Sequence, residues 1–147
     1  MSARITKATI VIGTAVMTVG LATGQSGDSF APKVDKSVYA ELKKAPAKAA
    51  ARQNPLESDP DAVAGGAKLF ERHCAECHGA TADGGKKGPS LRAEEVQQSS
   101  PGTLFWVLSN GVVRKGMPVW SRLPEPQRWQ LVSYIQSLSG PAKPANQ

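Results

Sequence analysis

Charge and apolar character separate into blocks along the chain. No residue from Ala8 to Gly27 is charged; Ile10, Val11, Ile12, Val16, Met17, Val19 and Leu21 make that block apolar, with Arg4 and Lys7 ahead of it. This is the layout of an export signal, a positive n-region before an apolar h-region. Ala22-Thr23-Gly24 places small residues where a signal peptidase reads, so residues 1–24 are expected to be removed before Gln25. The alternative is an uncleaved anchor, because about 20 helical residues at roughly 1.5 Å each cover the hydrocarbon core. Four glycines and four threonines in the block, and Lys33, Lys36, Lys43 and Lys44 on its far side, weigh against the anchor. Either form sends the rest of the chain into the periplasm, soluble or tethered.

Residues 25–53 are poor in large apolar groups and rich in Ala, Lys and Pro. Such composition predicts a flexible spacer, since little surface is available to offset the ordering entropy. Helical spacing then begins. Asp59 before Pro60 offers a capping oxygen followed by a proline whose missing N–H is harmless, and Val63, Ala67 and Phe70 mark one face of a helix over 60–73. Ser100-Pro101 opens a second helix that stops at Asn110-Gly111. A third begins around Pro124 to Pro126 and runs through Leu131, Val132, Ile135 and Leu138 toward Gly140. Nothing alternates convincingly with period two, so the expected domain, 54–140, is all-α: three main helices joined by long loops, followed by a disordered tail over 141–147. Fewer than ninety residues with so many loops make a thin core, and something else must fill it.

Charge removes one class of function. The chain carries +6 overall, but residues 54–140 hold nine basic and nine acidic side chains, so the expected domain is neutral and the excess lies outside it. A nucleic-acid-binding module needs net positive charge of its own. The filler of the core is announced by Cys74-Ala75-Glu76-Cys77-His78. In Cys-x-x-Cys-His, two thiols one helical turn apart can each bond one vinyl group of a haem, and the next imidazole reaches the iron. A zinc site would need four ligands, and beyond this cluster the chain has only His73, which is read as a helix-end residue pointing elsewhere. A thioredoxin-like pair would need a βαβ setting, which the pattern does not provide.

With these pieces the chain resembles the mono-haem class I cytochrome c family, over roughly Asn54 to Gly140. Gly66 and Phe70 are similar to the family's glycine and aromatic pair on the first helix, and Leu131 and Tyr134 to the residues that meet them on the last. The resemblance implies that the carbonyl of Pro89, in Gly88-Pro89-Ser90-Leu91, accepts the N–H of the iron-bound His78. It also implies that Met117, in Gly116-Met117-Pro118-Val119-Trp120, is the second axial ligand. Met117 is the sole methionine of the expected domain and sits between Gly and Pro, a poor position for a core filler. One haem c held through Cys74 and Cys77, with His78 and Met117 on the iron, would move single electrons and leave no open site for a substrate. The departure from the family pattern is Pro124-Glu125-Pro126, where a serine cap is common.

Trp120 is read either as a porphyrin neighbour or as ordinary core. Every residue of Leu104-Phe105-Trp106-Val107-Leu108 is apolar, so either the haem takes one side of this helix or Phe105 or Trp106 lies on the surface as part of a docking face. Lys86, Lys87, Arg114 and Lys115 form either a solvated rim or a docking ring for an acidic partner. The expected function is periplasmic electron transfer without catalysis, between a donor such as a dehydrogenase and an acceptor such as a terminal oxidase. The alternative is the electron-accepting subunit of an exported quinoprotein-type dehydrogenase.

Overall fold

A computed structural model describes residues 36–139. The expected signal over 1–24, the first part of the spacer and the tail over 141–147 lie outside the described residues. Six α-helices follow an N-terminal 3-10 segment, Lys36–Lys44: α1 Ala47–Ala50, α2 Pro60–His73, α3 Ala75–His78, α4 Glu94–Gln97, α5 Pro101–Asn110 and α6 Glu125–Ser137. A short 3-10 turn, Val113–Lys115, precedes the loop holding Met117. Among the described residues the one extended pairing is an isolated antiparallel bridge, Val112 to Met117.

The caps act as the sequence predicts. Asp59 accepts from the N–H of Asp61 at 2.9 Å with Pro60 in the first turn, and Ser100 Oγ accepts from Thr103 N–H at 3.2 Å. α6 starts at Glu125 with Pro126 in its first turn and no side-chain cap, and it stops at Ser137, short of Gly140.

The core is the crossing of α2 and α6. Leu69 and Phe70 of α2 are buried against Leu131, Val132 and Ile135 of α6, and the rings of Phe70 and Tyr134 meet at 5.2 Å. Gly66 sets the depth of the crossing: a Cβ there would stand 2.0 Å from the carbonyl oxygen of Gln130, closer than any real contact. The buried face of α2 is therefore Ala62, Gly66, Leu69 and Phe70, one residue round from the expected Val63-Ala67 stripe. The backbone of α6 seats where α2 has no side chain, and that choice turns the helix.

α5 joins this pair through Phe105, stacked on Trp129 at 4.1 Å. The guanidinium of Arg52 lies 4.5 Å from the Phe105 ring centre and that of Arg128 at 4.6 Å, so cations cover both aromatic groups. Phe105 is thus buried core, neither haem wall nor surface, while Trp106 is half-buried.

One expectation is corrected here. Residues 36–53 are not a spacer. Tyr39 is 5% exposed, and α1 lies on the start of α5, where Ser100 Oγ donates to the Ala50 carbonyl at 2.7 Å. The composition argument counts only what a segment can bury on itself; this one buries Val38, Tyr39 and Leu42 against a surface made by the rest of the chain. With Lys36, Lys43, Lys44, Lys48 and Arg52 against Glu41, the folded unit carries a formal +4 rather than zero.

Candidate functional site

α2 ends at Cys74, whose backbone leaves helical geometry (φ −123°) while its N–H still donates to Phe70 O at 2.8 Å. The chain then makes one turn, α3, with the N–H groups of Cys77 and His78 both donating to Cys74 O at 3.0 Å. That turn aims Cys74, Cys77 and His78 into one cavity of about 670 Å³. Leu104, Val107 and Leu108 of α5 form one wall, Gly116, Met117 and Pro118 another, and Val38, Tyr39 and Leu42 of the N-terminal segment a third.

His78 Nδ1 lies 2.7 Å from the carbonyl oxygen of Pro89. A carbonyl can only accept, so Nδ1 carries the proton and donates, leaving the lone pair on Nε2. The Pro89 loop is itself pinned: Leu91 N–H donates to Ala82 O at 2.9 Å, Arg92 Nε to Thr81 O at 2.8 Å, and Tyr39 Oη to Ser90 O at 3.0 Å. Burial, then the Glu95 carboxylate, pushes the Tyr39 phenol above its ordinary pKa against the opposing effect of its bond to Ser90, so it stays a donor at neutral pH.

Within its loop, Met117 is placed by backbone hydrogen bonds. Val112 N–H donates to Met117 O at 3.0 Å and Met117 N–H returns to Val112 O at 3.2 Å. Gly111, at φ +65°, permits the loop to lie against the end of α5, where a Cβ would meet Pro118 O at 2.6 Å.

Burial, and then Cys77, raises the Cys74 thiol to about 11, so at neutral pH it is a protonated SH group in an apolar setting. Among the described residues no group of three or more His, Cys, Asp or Glu is arranged to hold a bare metal ion. Two thiols, one imidazole with a free Nε2 and one thioether around a mostly apolar cavity do fit a large apolar iron macrocycle.

His73 is corrected: it ends α2 as expected but lines the cavity, with its ring 5.2 Å from that of Trp120, which lines it too. Lys86, Lys87 and Lys115 also border the cavity, while Arg114 stands beside them 86% exposed. Lys87 pairs with Glu76 at 2.6 Å, an exposed contact of little energetic weight. The site residues that sequence reasoning missed are Val38, Tyr39 and Leu42, whose spacing places them on one face but whose alanine- and lysine-rich setting hides them.

Residues 61–135 match the family model described as cytochrome C oxidase, cbb3-type, subunit III. The Cbb3-type cytochrome c oxidase subunit CcoP of Rubrivivax gelatinosus is 32% identical over 105 residues, 70% of this chain and 33% of that protein, so the chain spans about a third of that relative's length. The solved structure of cytochrome CL from the marine methylotrophic bacterium Methylophaga aminisulfidivorans MPT aligns with a TM-score of 0.51 at 25% identity over 58% of each chain. The matched span holds the Cys-x-x-Cys-His turn, the Pro89 and Met117 loops and the α2–α6 crossing. The chain belongs to the class I cytochrome c family, an all-α electron-transfer fold whose membership implies a covalently bound haem c.

Proposed function

We propose that this chain is an exported electron-transfer protein holding one haem c through thioether bonds from Cys74 and Cys77, with His78 and Met117 as its axial ligands. The observation that carries this reading is the meeting of those four side chains at one cavity, with His78 Nδ1 committed to Pro89 O at 2.7 Å. Bound there, the haem supplies a one-electron ferric–ferrous couple. The chain's own groups set its character. The Pro89 carbonyl fixes the plane of the imidazole and raises the basicity of Nε2. The Met117 thioether would hold the iron together with His78, would favour its ferrous state, and would leave no open position for oxygen or a substrate. Leu104, Val107 and Leu108 exclude water from the cavity wall and lower its dielectric.

The likeness to CcoP supports a terminal oxidase as the electron-accepting partner, whether the chain meets it by diffusion or stays with it as a subunit. Among the described residues no helix is long and apolar enough to cross a membrane. The uncharged block from Ala8 to Gly27 supports export, with or without retention as a tether.

Acid-acetone extraction of the purified protein tests the core of the reading. Two thioether bonds survive the loss of axial ligands, so the colour should stay with the protein, and Cys74→Ala or Cys77→Ala should weaken that retention. Haem that washes into the acetone from the parent protein contradicts covalent attachment.

A further inference from the structure

The N-terminal segment Lys36–Lys44 precedes the family match, which begins at residue 61, yet it forms part of the cavity wall. It also touches the two loops that bring the proposed axial ligands. On one side Tyr39 Oη donates to Ser90 O at 3.0 Å, one residue beyond the Pro89 carbonyl that receives His78 Nδ1. On the other, Lys115 Nζ donates to Ser37 O at 2.8 Å and Arg114 approaches Glu41 at 4.0 Å, both from the turn that leads into Met117. Lys36 pairs with Glu95 of α4 at 3.1 Å and closes the far end. The segment thus bridges the cavity from the His78 side to the Met117 side, with the Tyr39 ring buried between.

We propose that Tyr39 is a positioning residue for the Pro89–His78 pair, and that Lys36–Lys44 acts as a strap holding the Pro89 and Met117 loops at a fixed separation across the cavity. This rests on the axial-ligand reading given above. The physical reason is loop entropy. The Met117 loop is tied to the end of α5 by its bridge with Val112 and by Trp120 N–H on Leu108 O at 3.1 Å, all on one side of the cavity, so a tie to a separate element across it further reduces the open states in which the thioether leaves its place. The strap restrains the first ligand through Tyr39, Ser90 and Pro89, and the second through Lys115.

The test is titration of neutral imidazole into the oxidised, full-length holoprotein, followed optically as the added ligand displaces the native one. Tyr39→Phe keeps the buried ring and removes only the hydroxyl. Lys115→Met cuts the other tie at the surface and serves where Tyr39→Phe does not mature; a neutral probe keeps its charge change from acting directly. Ser133→Ala removes a buried hydrogen bond to Asn54 on α6, away from the cavity, and controls for lost stability. Imidazole affinity should rise about threefold to tenfold in Tyr39→Phe and in Lys115→Met, the equilibrium equivalent of one lost hydrogen bond, and stay level in Ser133→Ala. Affinities in both strap variants within about twofold of the parent overturn the strap, as does an equal rise in Ser133→Ala. Met117→Ala separates the two inferences. If it opens the iron while the strap variants do not, only the strap fails; if it does not, the axial reading has failed first.

Discussion

Met117 is held by its neighbours' backbones. The paired hydrogen bonds with Val112, the left-handed Gly116 at φ +87° and the close fit of Gly111 under Pro118 fix its Cα, while its side chain remains half-buried at the cavity. Removing that side chain should therefore leave the loop in place and change mainly the chemistry. In Met117→Ala the midpoint potential should fall by on the order of 100 to 300 mV, a part of the roughly 0.8 V over which axial ligands tune such centres, and the reduced protein should bind carbon monoxide. Potentiometry and a carbon monoxide difference spectrum check this, and an unchanged pair assigns the sixth position to another group. At this scale much of the placement was legible, because the one-turn spacing of Cys74, Cys77 and His78 is local and brings all three to one cavity. Pro89 was legible only through family resemblance, since nothing in a Gly-Pro-Ser-Leu loop announces which carbonyl faces an imidazole. His73 was misread for a local reason: the backbone turns off helical geometry at Cys74, so the direction of His73 cannot be extrapolated from the residues that follow it.

Two adjacent glycines on α2 show how the elements are held together. At Gly66 an added Cβ meets the Gln130 carbonyl at 2.0 Å and Tyr134 Cβ at 2.7 Å, whereas at Gly65 it meets only the end of the Gln130 side chain, at 3.0 to 3.3 Å. Backbone cannot yield without moving α6; a glutamine tip can. Gly66→Ala should cost about 3 kcal/mol, the upper part of the range for overpacking, and lower the holoprotein's Tm by on the order of 15 °C. Gly65→Ala should stay within about 1 kcal/mol of the parent, because the gain in helix propensity offsets the displaced glutamine. Thermal unfolding of the pair checks the crossing, and equal losses would place the α2–α6 contact elsewhere. The three long helices were legible because their starts are written locally, in Asp59-Pro60, Ser100-Pro101 and Pro124 to Pro126. The face of α2 was off by one residue because the partner's backbone, absent from any single-helix pattern, selects it. The strap was missed for a related reason: Val38, Tyr39 and Leu42 have no apolar partners nearby in sequence, and their burial depends on a wall built from α5, the Pro89 loop and α6.

Across the whole molecule, the folding of the strap changes the electrostatic picture as well as the core. The span 54–140 is neutral, but the folded unit carries +4, and its added charges come from 36–53: Lys36, Lys43 and Lys44 with Glu41 on the strap that crosses the cavity, and Lys48 and Arg52 beyond it. Lys86, Lys87 and Lys115 border the same opening, with Lys43 and Lys44 exposed on the strap. Some of this charge is locally compensated, by Glu76 on Lys87 and by Glu41 on Lys44 at 2.7 Å, while Lys86 and Lys43 form no ion pair among the described residues. An acidic redox partner should accordingly be steered toward the cavity mouth. Between about 20 and 200 mM salt the screening length falls below about 10 Å, and the bimolecular electron-transfer rate should drop roughly fivefold to tenfold. Lys86→Glu with Lys87→Glu should slow association several-fold and move the midpoint potential by less than about 30 mV, since rim charges act on the encounter more than on the buried centre. Stopped-flow rates across a salt series measure both. The apolar route through Phe105 is closed, because that ring is buried between Trp129 and two arginines. Among the described residues the exposed large apolar side chains are Val113, 68% exposed, and Val119, 45% exposed, on either side of Met117. A rate flat in salt would transfer the docking role to those two valines, or indicate a chain that remains with its partner and has no diffusional encounter to steer.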